Sequence, residues 1–405
     1  MEEEKFNQKN ISNLIRNILT LRYDPLQKTT LPVLKTNDFI SSKNYDLDFI
    51  ENNLKNSIQT KLGSAKNLTI SLSGGIDSTL VLGLIRKTLP DLKINAISIK
   101  FSDSTDETLM AKKIADFFEA EHEIIDIDNY LLELPTAISI TGMPFWDIHW
   151  YYIAKSAKDK SNFLASGDGG DELFGGYTFR YSKFLSLINS NSSPLDKIQA
   201  YLSCHERDWV PDQPKIFNSK TNFSWKSINS IFTPFFDNSL SPLNQVFLAD
   251  YNGKLLYNFS IIGNKINQFF NLKPVVPILD PELISYASHL SPESKYDLNE
   301  NKGKLPLRSL LSKHQCDSLI SKEKLGFSVN TINLWNSIGK ELSHYYLDDA
   351  RIVEDGWINK EWISSNITKS DLDIKYINKF LGLLSLEIWY RLFVTKEMNS
   401  TTKLS

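Results

Sequence analysis

The spacing of hydrophobic and polar residues changes period several times between residues 47 and 165. Leu47, Ile50, Leu54 and Ile58 recur at intervals of three and four, which predicts a helix from Leu47 to Leu62. The run Leu68-Thr69-Ile70-Ser71-Leu72 predicts a short buried strand, and Thr79 to Arg86 reads as the start of a helix. A second strand is expected over Ile94 to Phe101 and a helix over Asp106 to Phe118, with the acidic pair Asp106-Glu107 suited to its first turn. His122 to Ile127 forms a third strand, Trp150 to Lys158 a helix, and Asn162 to Ala165 a fourth strand. Strand and helix alternating at this spacing imply an α/β fold with a mostly parallel sheet flanked by helices. Such sheets bind ligands outside the carboxyl ends of their strands.

Outside this stretch the pattern differs. Residues 1–50 read as an irregular lead-in with one short helix, Ile11 to Leu19, interrupted further on by Pro25 and Pro32. Residues 51–185 hold the α/β core. Residues 186–395 read as a predominantly helical C-terminal half packed on that core, its segments separated by polar connections such as Ser190 to Pro194 and Ser239 to Pro242. The last strong helix spans Ile377 to Phe393, and residues 396–405 read as a frayed tail.

Two loops carry the candidate chemistry. After the first strand comes Ser71-Leu72-Ser73-Gly74-Gly75-Ile76-Asp77-Ser78-Thr79. Gly74 and Gly75 let this turn close and point its N–H groups inward, Ser73, Ser78 and Thr79 add hydroxyls, and a helix N-terminus lies beneath. The result is a nest for a multiply charged anion. It is not a Walker A loop, because no Gly-Lys-Ser/Thr follows. Asp77 fits such a nest only with a cation between it and the phosphates, and Mg²⁺ is the natural one. After the fourth strand comes Ser166 to Tyr177, with five glycines and three carboxylates in twelve residues. Those carboxylates repel one another unless a cation lies among them. Asp171 is therefore expected to share Mg²⁺ with Asp77, while Asp168 faces the reacting groups.

Composition narrows the alternatives. A chain of 405 residues with 41% hydrophobic residues is long and apolar enough for a large core. The formal charge of −3 offers no footprint for nucleic acid, and no apolar run has the length to span a bilayer. Two cysteines and six scattered histidines give no zinc-ligand spacing. A cytoplasmic enzyme acting on a small activated substrate is the expectation.

On these residues the first loop resembles the pyrophosphate loop of the N-type ATP pyrophosphatases, which implies an adenine nucleotide alpha-hydrolase-like core. Together with Ser166 to Tyr177 it resembles the synthetase domain of the class B asparagine synthetases, a family that includes beta-lactam and carbapenam synthetases and lasso-peptide cyclases. Lys304-Leu305-Pro306-Leu307-Arg308, Lys324-Leu325-Gly326-Phe327 and Leu386 to Arg391 resemble later segments of that family. The resemblance implies ATP and Mg²⁺ as cofactors. It places Ser71, Ser73, Gly74, Gly75, Asp77, Ser78, Gly167, Lys304 and Arg308 on ATP and pyrophosphate, Asp77 and Asp171 on the metal, and Asp168 and Lys324 in catalysis. It further implies that a carboxylate is adenylated with release of pyrophosphate and then passed to ammonia or a primary amine with release of AMP.

Departures from the family pattern qualify the substrate. Glu2 stands where glutaminase-bearing members carry a cysteine, and Leu21 to Pro25 resembles their interdomain linker. This implies an absent glutaminase, with nitrogen supplied as ammonia, as an amine, or by a separate glutaminase or carrier protein. Lys273 and Val275 replace a glutamate and an arginine of the asparagine-forming pattern, and Asn264-Lys265 replaces Asp-Arg. A pocket that does not process free aspartate efficiently is expected. Two other readings stay open: an ammonia-dependent asparagine synthetase, and a catalytically silent scaffold, against which the retention of Asp77, Asp171 and Lys324 argues.

Overall fold

The computed structural model describes residues 7–39, 44–101, 108–320 and 329–405. Five strands build its main sheet: β1 (Asn67–Ser71), β2 (Lys93–Phe101), β3 (Glu121–Ile127), β4 (Phe163–Ala165) and β5 (Lys273–Val275). All are parallel and lie in the order β3-β2-β1-β4-β5. The chain winds outward from β1 through β2 to β3, then returns to lay β4 on the other side of β1. The direction of winding thus reverses between β1 and β4, and a crevice opens above their carboxyl ends at such a reversal.

The expected strand and helix positions are found. Helix Leu47–Leu62 is capped by Asp46, whose carboxylate accepts from the N–H groups of Asp48 and Phe49 at 3.0 Å. Its Ile50, Leu54, Ile58 and Leu62 form one fully buried stripe, each contributing roughly 1.5–3 kcal/mol of burial. Alternate side chains of the strands feed two separate apolar clusters. Leu68, Ile70, Ile94 and Ala96 enter the first, and Ile97, Ile99 and Leu164 the second. Helix Thr108–Phe117 follows residues outside the described range, so the expected first-turn pair Asp106-Glu107 lies outside the described residues.

Residues 186–395 are predominantly helical, as expected, yet they also supply β5. That strand is three residues long and contains Pro274, whose missing N–H suits a sheet edge. Its position corrects the reading of Lys273 and Val275 as pocket residues. Lys273 is exposed on the edge strand with its ammonium 5.4 Å from the Phe163 ring centroid, and Val275 is buried in the apolar core.

The described segments near both termini also pack more closely than their patterns suggest. Helix Gln8–Leu21 buries Ile15 completely and joins the second apolar cluster. The tail does not fray. Leu404 is buried, its N–H donates to the Leu132 carbonyl at 3.0 Å, and Lys403 pairs with Glu133 at 2.8 Å. No helix among the described residues is long and apolar enough to cross a membrane.

Candidate active site

A cleft of about 1100 Å³ opens at the β1/β4 reversal, lined by the β1 loop, the β4 loop and residues of the helical half. Because β1 and β4 pair side by side, with Ile70 opposite Ala165, the two loops that leave them are immediate neighbours. Their approach depends on glycine. A Cβ on Gly167 would lie 2.7 Å from the Asp77 carbonyl carbon and 2.7 Å from the Ser78 nitrogen. A Cβ on Gly170 would overlap the Asp77 carboxylate, and one on Gly176 would overlap that of Asp171. Gly169 adopts φ +92°, a conformation open to glycine. The glycine density of the second loop is thus the condition for seating Asp77 and Asp171 together.

Lys304 completes this meeting point. Its ammonium lies 2.5 Å from Asp77 Oδ2 and 3.1 Å from Asp171 Oδ1. The residue takes a left-handed φ of +58° at the start of helix Leu305–Lys313, a backbone state costing about 1–3 kcal/mol outside glycine. Burial works to lower its pKa, but the two carboxylates overcome this and hold it above the ordinary lysine value. Arg308 follows one turn later, its Nε donating to the Gly303 carbonyl at 2.9 Å. Burial lowers its pKa and Asp77 opposes that.

In the β1 loop, Ser73 and Ser78 hydroxyls lie 3.1 Å apart, and the Gly75 N–H donates to Ser73 Oγ at 3.2 Å. Helix Ile76–Thr88 begins directly after Gly75. Ser71, Ser73, Gly74, Gly75 and Ser78 all face the cleft, so hydroxyls, N–H groups and a helix N-terminus converge at one point suited to phosphate oxygens. Two carboxylates on adjoining loops, already converging on one cation, suit Mg²⁺, which uses one or two carboxylates and completes its shell with phosphate and water.

Asp168 stands apart from that cluster. It is exposed to the cleft and accepts from Ser166 Oγ at 2.7 Å. The surrounding protein raises its pKa, and Ser166 and His149 oppose the rise. His149 was not singled out from sequence. Its Nδ1 lies 2.9 Å from Asp147 Oδ1, which also accepts from the Tyr130 hydroxyl at 2.6 Å. Burial would lower the His149 pKa, but Asp147, with help from Asp168, raises it above the ordinary histidine value. The available signal was an acid and a histidine two apart in the aromatic run Phe145 to Trp150, just ahead of β4. Lys324 lies outside the described residues.

The five-stranded parallel sheet with helices around it and two paired loops at its winding reversal defines an α/β protein. Within that class the chain belongs to the asparagine synthase family, whose model matches residues 50–391. It is 26% identical over 351 residues to asparagine synthetase [glutamine-hydrolyzing] 1 of Bacillus subtilis (strain 168), covering 78% of this chain and 51% of that relative. A putative asparagine synthetase [glutamine-hydrolyzing] of Mycobacterium tuberculosis (strain ATCC 25618 / H37Rv) is 24% identical, covering 72% of this chain and 49% of the relative. The chain thus spans about half the length of these curated relatives. A solved NH3-dependent NAD synthetase from Campylobacter jejuni subsp. jejuni NCTC 11168 aligns at 18% identity and TM-score 0.26, over 49% of this chain and 98% of that one.

Proposed function

We propose that the protein is an ATP-dependent, AMP-forming carbon–nitrogen ligase that adenylates a carboxylate and transfers it to ammonia or a primary amine. The observation that carries this reading is the convergence of Asp77 and Asp171 on one cation beside the hydroxyl- and N–H-rich β1 loop. The β1 loop binds the phosphates of ATP, and Lys304 and Arg308 add positive charge at its edge. A carboxylate oxygen of the acid attacks the α-phosphorus, the bond to the bridging oxygen breaks, and pyrophosphate leaves. Asp77 and Asp171 would hold Mg²⁺, which would supply charge neutralisation for the departing pyrophosphate. Lys324, by its resemblance to the family lysine, is assigned to the same developing charge.

In the second half-reaction the nitrogen attacks the acyl-adenylate carbonyl, the C–N bond forms, the C–O bond to phosphate breaks, and AMP leaves. The nitrogen must lose a proton on the way. Asp168 faces the cleft for that task, and His149, oriented by Asp147 and Tyr130, stands within its electrostatic reach.

The names of the relatives favour a second reading, asparagine formation from aspartate and ammonia. With Lys273 exposed on the sheet edge, the expected exclusion of aspartate loses its charge-reversal argument, so aspartate belongs among the acids tested. Glutamine would serve as nitrogen source through a glutaminase acting with this chain. One experiment separates these readings: pyrophosphate release from Mg-ATP across a panel of carboxylic acids, with ammonium or a primary amine. AMP and pyrophosphate are expected, and exclusive formation of ADP and phosphate would overturn the reaction class. Asparagine appearing with aspartate as the preferred acid would establish the second reading. No Mg-dependent nucleotide binding by calorimetry would favour a silent scaffold.

A further inference from the structure

Lys304 lies against both carboxylates assigned to the metal, and its main chain is clamped while its side chain is not. Its N–H donates to the Phe174 carbonyl at 2.9 Å, and its carbonyl accepts from the Arg308 N–H at 2.9 Å. The preceding Gly303 packs so closely that a Cβ there would lie 2.0 Å from the Gly175 carbonyl oxygen. The backbone of Lys304 is thereby fixed to the second loop in its left-handed state, and any movement is left to the stem. That stem crosses Gly176, where a Cβ would lie 2.4 Å from Lys304 Cε and 1.8 Å from Asp171 Oδ1. The missing side chain at Gly176 is what opens the path to the carboxylates.

The same two oxygens do not serve this ammonium and a magnesium ion together. Nζ lies 2.5 Å from Asp77 Oδ2 and 3.1 Å from Asp171 Oδ1. Mg²⁺ binds oxygen at about 2.0–2.1 Å, so a metal on Asp77 Oδ2 would stand within about 5 Å of that nitrogen, a like charge in a partly dry site. The lysine offsets one of the two carboxylates, and phosphates arriving beside them add further negative charge. A divalent cation then answers the carboxylates better than an ammonium does, and the ammonium finds phosphate oxygens in the cleft that it already lines. Lysine suits such a transfer. Its compact charge rides on a long flexible stem, and its donors need no fixed plane, unlike the fork of arginine. Asp77 itself belongs to the β1 loop, two residues beyond Gly75, so the ammonium stands at the edge of the phosphate nest.

We propose that Lys304 is an exchangeable counter-cation of the metal seat. It holds Asp77 and Asp171 together and keeps Mg²⁺ out until nucleotide phosphates draw its ammonium away, so that the metal is admitted with the nucleotide and not before it. The assignment of Asp77 and Asp171 to Mg²⁺ rests on the ligase reading.

The test uses the full chain and reads cation binding without turnover, with Mn²⁺ as the probe because it favours the same oxygen ligands as Mg²⁺. Free Mn²⁺ is followed by electron paramagnetic resonance in the absence of nucleotide. Lys304→Met, which keeps an unbranched stem and removes the charge, is expected to bind Mn²⁺ at least ~10-fold more tightly than wild type. Adding Asp171→Asn to Lys304→Met should abolish that gain, which locates it. Thermal unfolding gives a second reading: Mg²⁺ alone should raise the Lys304→Met midpoint and leave wild type unmoved. Calorimetry with α,β-methylene-ATP in EDTA follows the other half of the exchange. Lys304→Met should bind that nucleotide at least ~10-fold more weakly, the loss of a charge-assisted bond to phosphate. Circular dichroism checks each variant, and Lys304→Gln replaces Lys304→Met if the latter does not fold. A wild-type midpoint that rises with Mg²⁺ alone, which needs no variant, would overturn the proposal. So would Mn²⁺ affinity or metal-free nucleotide affinity that ignores the substitution. Both responses present, with no pyrophosphate released from any acid, would sink the ligase reading and leave the exchange standing. Pyrophosphate release with neither response would do the reverse.

Discussion

Lys304 neutralises two carboxylates that would otherwise repel each other, and it does so from a left-handed backbone position that lysine does not favour. Strain of that kind persists where the surroundings over-determine it, which fits a group positioned for chemistry. Asp77→Asn and Asp171→Asn each leave Lys304 one carboxylate partner. We therefore expect both variants to fold normally by circular dichroism and to release pyrophosphate at least ~10²-fold more slowly, since their charge acts mainly in the transition state. Near-normal release would refute the shared-cation site. We assign His149, coupled to Asp168, to the proton removal of the other step, where the neutral imidazole receives the proton that Asp168 draws from the nitrogen. Its ring is faced by Asp147, Asp168 and, through Asp147, by Tyr130 and Arg22. His149→Gln should leave ATP–pyrophosphate exchange within about threefold and slow amide formation ~10²-fold, the usual scale of lost general base catalysis. In wild type, amide formation should rise as pH passes a value above the ordinary histidine pKa, where the imidazole becomes neutral, and that limb should vanish in the variant. Parallel loss of both half-reactions would instead mark His149 as structural.

Elements bring these residues together only because β1 and β4 are neighbours, and that adjacency is where sequence and structure part company. The β1 loop, the β4 loop, their glycines and Asp168 were legible, because a strand running into a glycine-rich acidic turn has a local signature. The roles of Gly167 and Gly170 were not, since they concern the distance between two loops separated by ninety or so residues, a tertiary quantity. The edge strand β5 was too short and too proline-marked to show a period of two. Gly167→Ala tests the close approach directly. Its Cβ meets backbone atoms of Asp77 and Ser78, which cannot rotate away, so adenylation should fall at least ~10-fold while the far helices stay folded. An unchanged exchange rate would show that the loops separate without consequence. The tail offers a stability test at the same scale. Leu404→Ala removes a buried side chain from a residue whose N–H donates to the Leu132 carbonyl and whose carbonyl accepts from the Asn129 side-chain amide, and should cost about 2 kcal/mol in urea denaturation.

Across the whole molecule, the sheet divides two apolar clusters, and the segments that close each are tied down by a buried carboxylate. Glu51, on helix Leu47–Leu62, lies 2.8 Å from Lys313 and 3.2 Å from His314, at the end of helix Leu305–Lys313. Glu133 lies 2.7 Å from Lys155 and 2.8 Å from Lys403, and accepts from the Tyr151 hydroxyl, which joins the tail to helix His149–Ala157. Burial alone would raise both carboxyls, but the lysines prevail and hold each at about 2, below the ordinary value of 4.5. A depressed native pKa means that the unfolded chain binds protons more readily. The stabilisation is therefore complete above about pH 4.5 and is lost as pH falls from there towards 2. Glu133→Gln should lower the urea midpoint at pH 7 and flatten its decline over that window, because the variant has no proton to gain there. The tail should loosen with it, seen as faster amide exchange at Leu404, whose N–H is bonded to Leu132 one residue from Glu133. A midpoint that falls with pH as steeply in Glu133→Gln as in wild type would place the acid sensitivity elsewhere in the protein.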